Sequence, residues 1–476
     1  MQIFAYKKRK LLKNEIPHEV FERFKKPHSF LLESGGEEAG WSFIGCNPAV
    51  VLEKNGKLIS QKNFSYFDDE IKCDQEQLSG DIFGHIKKLN DEYGIEGELD
   101  LNLNLPPFVG GACGFFSYDF GLEMALIKSD CKTLVQCPDV YFGWFNKIVA
   151  FNKTNNELWF LALGPTEAHA QAFIEQLEDD FDNRETSINT NVNAVKKNDN
   201  FQKEPKIESN LTLEQYEKCI GKIKNSLLAG ETYQVNFAQQ FELKSDIDSW
   251  LVYKKLFKIN PSQQACFFQH PDFTVISSSP ERLVSVYDGV VQTCPIKGTV
   301  KRGNTVAEDK EKAEILLNSK KNKAELAMIV DLARNDLGQV CQTGSVKVTS
   351  DRKIMKLSHV LHTYSVVEGK LHEDKDNLDV FKALFPGGSI TGCPKRRTME
   401  IISDLEKVKR AVYCGSAGYF SANGNMDFNI MIRTLLNRDG SFYFGAGGGV
   451  VVDSSAKEEY EESFDKAKAL FMSLSA

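Results

Sequence analysis

Several side chains in the C-terminal half of the chain are of types, and in settings, that could do chemistry. Lys297 stands in VQTCPIKGTVKRG, two residues after Pro295 and directly before Gly298, following a run rich in β-branched residues. A lysine held at a strand end among apolar neighbours can lose its proton and attack carbon. The alternative is a solvated loop lysine. Glu325 falls on the same side of a helical stretch as Met328, Ile329 and Leu332. Burying an unpaired carboxylate is costly, so this one needs a cation, a metal or a proton, unless it snorkels to water. LFPGGSITGCPKRRTMEI reads as a glycine loop feeding a helix, with Pro394 at the first helical position. Exposed backbone N–H groups there would bind an anion. A phosphate-binding P-loop is excluded, because Cys393 follows Gly392 where lysine is required. A carboxylate or a small polar group is the expected anion. His359 and His362 lie in the strand-like run KLSHVLHTYSVVEGKL.

The elements that must hold these residues follow from periodicity. VISSSPERLVSVYDGVVQTCPI predicts two strands around an Asp288-Gly289 turn, then a short loop. Thr212 and Gln215 have capping-box spacing before a helix carrying Tyr216, Ile220 and Ile223. ETYQVNFAQQFEL alternates, with Gln234 and Asn236 opposite Val235 and Phe237. VAEDKEKAEILLNSKKNKAELAMIVDLARNDLG is helical over most of its length. AVYCGSAGYFSANGNMDFNIMIRTLL predicts a hairpin turning at Asn423-Gly424, with Arg433 late in its second strand. FYFGAGGGVVVDSS predicts a strand broken by four glycines. In the last helix Tyr460, Phe464, Ala467 and Phe471 form an apolar stripe, and Glu459, Glu462 and Lys466 lie opposite, a solvated face by periodicity alone.

Before this comes a mixed α/β region, residues 1–182, then a polar, Asn/Lys-rich linker at 183–209, and then 210–476. In the first region Gly111-Ala112-Cys113-Gly114 resembles a nucleophile elbow, but the following FFSYDF is strand-like where an elbow needs a helix. Close packing accounts for its glycines. The 476 residues are 42% hydrophobic, enough for one large core or two. A net charge of −8 without a basic stripe argues against nucleic acid. No apolar run could span a bilayer, and the N-terminus lacks a signal-peptide core. Eleven cysteines without a CxxC pair suit a reducing cytoplasm and argue against cysteine-ligated zinc.

From about Glu231 onward the chain reads, in order, ETYQVNF, SSSPERL, PIKGT, KAELAMIVDLARNDLG, the His362 run, FPGGSITGCPK, YCGSAGYF, NIMIRT, GAGGGVVVDS and EEYEESFDKA. Together these motifs resemble the chorismate-utilising enzymes, the large subunits of anthranilate synthase and of aminodeoxychorismate synthase. LLES at Leu31–Ser34 and WSFIG at Trp41–Gly45 extend the resemblance into the N-terminal region. It implies an α+β fold, a large antiparallel β-sandwich with helices packed outside and two interlocked subdomains.

The resemblance also implies roles. Glu325 and Glu462 resemble magnesium-binding glutamates, Mg2+ being the implied cofactor. Tyr413, Arg433 and the backbone of Gly447, Gly448 and Gly449 look like the grip on the enolpyruvyl carboxylate. Thr391, Gly388 and Ser389 would add polar contacts, and Lys466 joins the substrate-binding set. Glu281 resembles the general acid that protonates the departing C4 hydroxyl, and His362 a residue assisting that departure. Gln234 stands where isochorismate synthases carry a water-activating lysine, a role an amide cannot fill. PIKGT, in place of the PIAGT typical of anthranilate synthases, makes Lys297 resemble a nucleophile attacking C2 of chorismate, with ammonia entering at C4. The implied product is 4-amino-4-deoxychorismate, a precursor of p-aminobenzoate and folate; the alternative is anthranilate. A more remote alternative is a chorismate-binding paralogue without catalysis. No amidotransferase domain is visible, so a glutamine amidotransferase partner is expected to supply the ammonia. Glu33 and Ser34 resemble a tryptophan-binding motif.

Overall fold

A computed structural model describes residues 2–36, 39–67, 70–96, 104–182, 208–356 and 360–475. Most of the expected linker, and His359, lie outside the described residues.

Alternating apolar strands pair into two twelve-stranded antiparallel sheets. The first runs from Ile3–Lys10 through Trp41–Gly45, Ser29–Glu33, Gln264–Gln269, Thr274–Ser279, Thr434–Arg438 and Ser441–Val450 to Gln234–Lys244. The second runs from Ile296–Lys301 through Val360–Lys370, Val290–Thr293, Arg282–Tyr287, Met426–Asn429, Ser416–Ser421 and Gly111–Phe116 to Glu70–Leu78. Each sheet therefore mixes strands from before and after the expected linker.

Aromatic side chains fill the layer between the sheets. Phe30, Phe43 and Phe268 of the first meet Phe115, Tyr141 and Tyr419 of the second. A second core joins the outer face of one sheet to helices Ile82–Glu92, Leu213–Leu228 and Lys320–Gly338. A third joins the other sheet to Glu167–Asp182, Ser249–Ile259 and Ala456–Leu474. This is the expected sandwich with helices outside. Among the described residues no helix is long and apolar enough to cross a membrane.

Local details depart from the sequence reading in ways that matter for the site. The long helix is two, Val306–Asn318 and Lys320–Gly338, because Ser319 caps the second by accepting from the Asn322 N–H. Pro394 is the N-cap of Lys395–Leu405 rather than its first residue. The glycine-rich Ser441–Val450 strand is unbroken. FFSYDF is not strand-like throughout, as its sequence suggested: the strand Gly111–Phe116 ends there, and Ser117 caps a helix over Tyr118–Met124, so a strand does lead into a helix here. Cys113 lies mid-strand and fully buried, and burial pushes its thiol well above the ordinary range, so it is no nucleophile. A Cβ on Gly114 would sit 1.9 Å from the Tyr141 carbonyl oxygen, so close packing does account for that glycine.

Candidate active site

Two neighbouring strand crossovers build the centre of the site. After Thr274–Ser279 the chain leaves the first sheet, passes Pro280 and Glu281, and enters the second as Arg282–Tyr287. After Met426–Asn429 it makes the reverse passage and re-enters the first sheet at Thr434. The crossovers are tied together: the Ile430 N–H donates to the Glu281 carbonyl at 2.9 Å, and the Ser278 N–H to the Arg433 carbonyl at 3.1 Å. Glu281 and Arg433 thus face one cleft. Arg433 is not late in the hairpin's second strand, as its sequence suggested, because that strand ends at Asn429. Its φ of 52° belongs to the left-handed region, a local cost of about 1–3 kcal/mol of the kind found at functional positions.

Burial sets the charges here. Glu281 is buried, and its carboxyl is raised above the ordinary range by desolvation, against the pull of Ser389, Lys297, Arg433 and Lys466. Arg433 donates to Asn260 Oδ1 at 3.0 Å. Among the described residues its remaining N–H groups have no acceptor, leaving a guanidinium edge free for a carboxylate.

Lys297 is the second residue of the Ile296–Lys301 strand, not part of a loop. It pairs with Thr363, and the register then slips between Lys297 and Thr299. Gly298, at φ 79°, makes that bulge, which re-aims the lysine. Among the described residues Lys297 Nζ has no hydrogen-bond or ion-pair partner. Desolvation and the positive charge of Lys466 lower its pKa, against Glu325, Glu281 and Glu462. On the paired strand, His362 Nδ1 lies 2.9 Å from Thr299 Oγ1 and 3.2 Å from the Gly298 carbonyl. Burial, then Arg433, push its pKa down to about 4, so the ring is neutral, and its buried Nε2 is unpartnered.

The Gln234–Lys244 strand supplies two more unpartnered groups. Both amide atoms of Gln234 and the Oδ1 of Asn236 are buried without a partner. Such groups are rare in finished cores and common where a ligand completes them. Gly449 lies opposite, and a Cβ there would meet Gln234 Nε2 at 2.2 Å. Gly445 gives way in the same manner to the ring of Tyr413. The glycine run therefore lets large side chains approach an intact strand.

The Ala456–Leu474 helix brings Lys466 Nζ to 2.9 Å from the Gly447 carbonyl and 2.7 Å from Glu462 Oε1. Glu459 is not on a solvated face: it is buried, accepts from Ser454 Oγ at 2.8 Å, and is raised by desolvation, with Glu462 adding to the shift. The sequence placed it on one side of the helix with Glu462 and Lys466 but read that side as solvated, because periodicity does not say what covers a face. Glu325 is half-buried, with Lys321 3.9 Å away. Among the described residues no group of three or more His, Cys, Asp or Glu forms a metal cage.

The loop carrying Gly388, Ser389 and Thr391 is braced from below. Thr391 is fully buried and donates to the Gly387 carbonyl at 2.8 Å. Arg410, paired with Glu406 at 2.6 Å, donates to the carbonyls of Ile390 and Asn236. Gly388 packs on Leu332, and Ser389 is buried near Glu281. Asn260 and Arg410 were missed, since Arg433, which Asn260 meets, and Ile390 and Asn236, which Arg410 meets, are remote in sequence.

Glu33 and Ser34 lie away from this cleft, beside a cavity of about 190 Å3 that also touches Trp41, Phe43, Arg282 and Asp427. Glu33 already accepts from Tyr253 at 2.9 Å and faces His18 Nδ1 at 2.8 Å. The Ser34 hydroxyl accepts from the Gly40 N–H.

Compared with known proteins, residues 28–472 match the family described as chorismate binding enzyme. The chain is 34% identical over 475 residues to anthranilate synthase component 1 of Acetivibrio thermocellus, covering 97% of this chain and 93% of that protein. It is 37% identical over 375 residues to aminodeoxychorismate synthase component 1 of Bacillus subtilis strain 168, covering 78% of each. Among solved structures, anthranilate synthase component I from Streptococcus pneumoniae TIGR4 superposes with a TM-score of 0.76 at 26% identity, covering 97% of this chain and 99% of that one.

Proposed function

The chain belongs to the chorismate-binding enzymes, and from that premise we propose that it converts chorismate and ammonia to 4-amino-4-deoxychorismate and water. The observation that carries this choice over anthranilate is Lys297, a half-buried amine whose pKa is lowered by desolvation and by Lys466 and which has no partner among the described residues. A lysine in that state is a nucleophile, whereas a lysine kept for structure is paired and charged.

The residues take the following parts. Arg433 grips the enolpyruvyl carboxylate, beside the Gly447–Gly449 backbone and Tyr413. Glu281, kept protonated by burial, gives its proton to the departing C4 hydroxyl. Neutral His362 offers its free Nε2 to the same oxygen. Lys297 forms a bond to C2; ammonia then bonds to C4 as the Lys297–C2 bond breaks. The amine so formed loses a proton, which restores Glu281. Gln234 and Asn236 find in the bound substrate the partners they lack among the described residues.

Glu325 and Glu462 are proposed to hold magnesium, with Glu459 behind them. Two hard carboxylates without a closed cage suit an ion that keeps several waters and takes a substrate oxygen as ligand, and the crowding of Glu459 by Glu462 favours a cation there. Bound at this place, the ion would anchor the ring carboxylate and draw electron density from the ring.

A separate glutamine amidotransferase subunit is the proposed ammonia source, so glutamine alone should not sustain turnover by the purified chain. Tryptophan is the proposed occupant of the Glu33–Ser34 cavity; calorimetry without heat on its addition would remove that assignment.

Product identity tests the main reading. The chain is incubated with chorismate, magnesium and ammonium, and the products are resolved by mass and fluorescence. Aminodeoxychorismate, convertible to p-aminobenzoate by an added lyase, is the expected result. Fluorescent anthranilate with pyruvate would overturn the assignment of Lys297. Bound chorismate without any product, even with the partner added, would point to a non-catalytic paralogue.

A further inference from the structure

We propose that Asn260 is a positioning residue for the substrate carboxylate: its neutral amide aims the Arg433 guanidinium and leaves the positive charge there uncancelled. This rests on the reading above that Arg433 grips a carboxylate of chorismate. Asn260 is the C-cap of the Ser249–Ile259 helix, so it comes from outside both crossovers that build the centre. Its amide can point only one way. Nδ2 donates to the Ser278 carbonyl at 3.2 Å and to Ser278 Oγ at 3.1 Å. A carbonyl only accepts, so the other end of the amide, Oδ1, is turned to Arg433 Nη1 at 3.0 Å, and a guanidinium only donates. Ser278 is buried, its hydroxyl donates to the Asn260 carbonyl, and its N–H meets the Arg433 carbonyl at 3.1 Å. Arg433 is therefore held at its backbone by Ser278 and at its guanidinium by a side chain that Ser278 itself fixes.

The choice of an amide matters as much as its direction. The left-handed backbone of Arg433, at φ 52°, sets where the side chain leaves the chain, and Asn260 sets where it ends. The contact is made on Nη1, so Nε and Nη2 keep the parallel pair of N–H groups that a carboxylate takes in bidentate fashion. Aspartate has nearly the same shape as asparagine and would hold the guanidinium more tightly. It would also supply the counter-ion that the substrate must supply, and set a like charge beside the incoming carboxylate. Among the described residues no carboxylate is paired with Arg433. Glu281, whose charge would oppose it, is buried and raised above the ordinary carboxylate range. Asn260 thus gives direction without neutralisation, and the guanidinium stays a cation in need of an anion.

Two variants test this by the order in which they fall. Isothermal titration calorimetry of the purified chain with chorismate and magnesium, ammonium left out, should show binding weakened about tenfold in Asn260→Ala and about a hundredfold in Asn260→Asp. A role in packing or in ending the helix predicts the reverse order, since aspartate fills the place of asparagine and alanine does not. With ammonium added, the KM for chorismate should rise in the same order while kcat stays within about threefold, because Arg433 holds the same carboxylate before and during the reaction. Circular dichroism checks that each variant is folded; if one is not, the other decides alone by the same split between KM and kcat. Unchanged binding in the folded variants, aspartate binding better than alanine, or a loss confined to kcat overturns the aiming role. Because binding is read before any product forms, the order decides the role of Asn260 whichever product the chain makes. A wild-type chain that binds no chorismate overturns the grip of Arg433, and this proposal with it.

Discussion

Lys297 and Arg433 are half-buried cations near the same buried carboxyl, Glu281, yet only the lysine can surrender its proton there. In the proposed reaction that difference separates a nucleophile from a clamp, and it makes Lys297→Arg as informative as Lys297→Ala. Both should lose activity on the order of a hundredfold or more in steady-state assays, with chorismate binding by calorimetry retained. A loss of a few-fold would mean that the lysine only positions substrate. The proposed reaction also needs Glu281 and Lys297 in opposite protonation states, the first protonated and the second neutral. The rate should therefore follow a bell, rising as Lys297, its pKa lowered, loses its proton and falling as Glu281, its pKa raised, loses its own. Glu281→Gln removes the titrating acid. Its residual rate, about a hundredfold lower, should climb with pH through the Lys297 pKa without an alkaline fall, measured at constant free ammonia. An alkaline limb that survives in Glu281→Gln would assign it to another group.

At the scale of elements, the loop carrying Gly388 and Ser389 is held by a buried ion pair rather than by its own sequence. Arg410 and Glu406 are one helical turn apart in number but both lie past the last residue of Lys395–Leu405, whose C-cap is Glu406, and Glu406 Oε1 also accepts from the Ala238 N–H at 2.9 Å. Removing one partner strands the other charge. Arg410→Ala should cost about 3–5 kcal/mol of stability in urea denaturation and raise the KM for chorismate, because the carbonyls of Ile390 and Asn236 lose their donor. Unchanged stability would show that water replaces the guanidinium. The sequence disclosed elements of this kind unevenly. The strand at Gln234, the capping box at Thr212 and the hairpin turn at Asn423-Gly424 were legible, because their signals are local. The path of Arg433 between the two sheets was not, since which sheet a strand joins depends on partners far away in the chain. Nor was the integrity of Ser441–Val450: glycines weaken a strand by themselves, but here Tyr413 and Gln234 occupy the space they leave. Glu459 was misread because helical periodicity gives a face, not what covers it.

Across the whole molecule, the two sheets are pinned together by polar groups as well as by aromatic rings. His28, just before a strand of the first sheet, meets the hydroxyl of Tyr141 from the second at 3.0 Å. His270, from the first sheet's side, meets Glu53 of the second at 3.3 Å. Burial, and then the neighbouring His270, push the His28 pKa down to about 4; Lys62 acts in the same sense, and Glu53 and Asp272 oppose it. In the unfolded chain a histidine titrates near 6.5. The unfolded state therefore binds the extra proton first, and stability falls as pH drops from about 6.5 towards 4. For His28 this amounts to about 2 kcal/mol lost between pH 7 and pH 5. Asp119, raised by burial to about 6, works in the opposite direction over the same range, but equally in any His28 variant. The comparison that isolates the pin is wild type against His28→Asn, by urea denaturation at both pH values. Wild type should lose about 2 kcal/mol more than the variant on acidification. If it loses less, His28 is carrying its proton in the folded state, paired towards Glu53, and the layer between the sheets is held by an ion pair instead of a neutral ring.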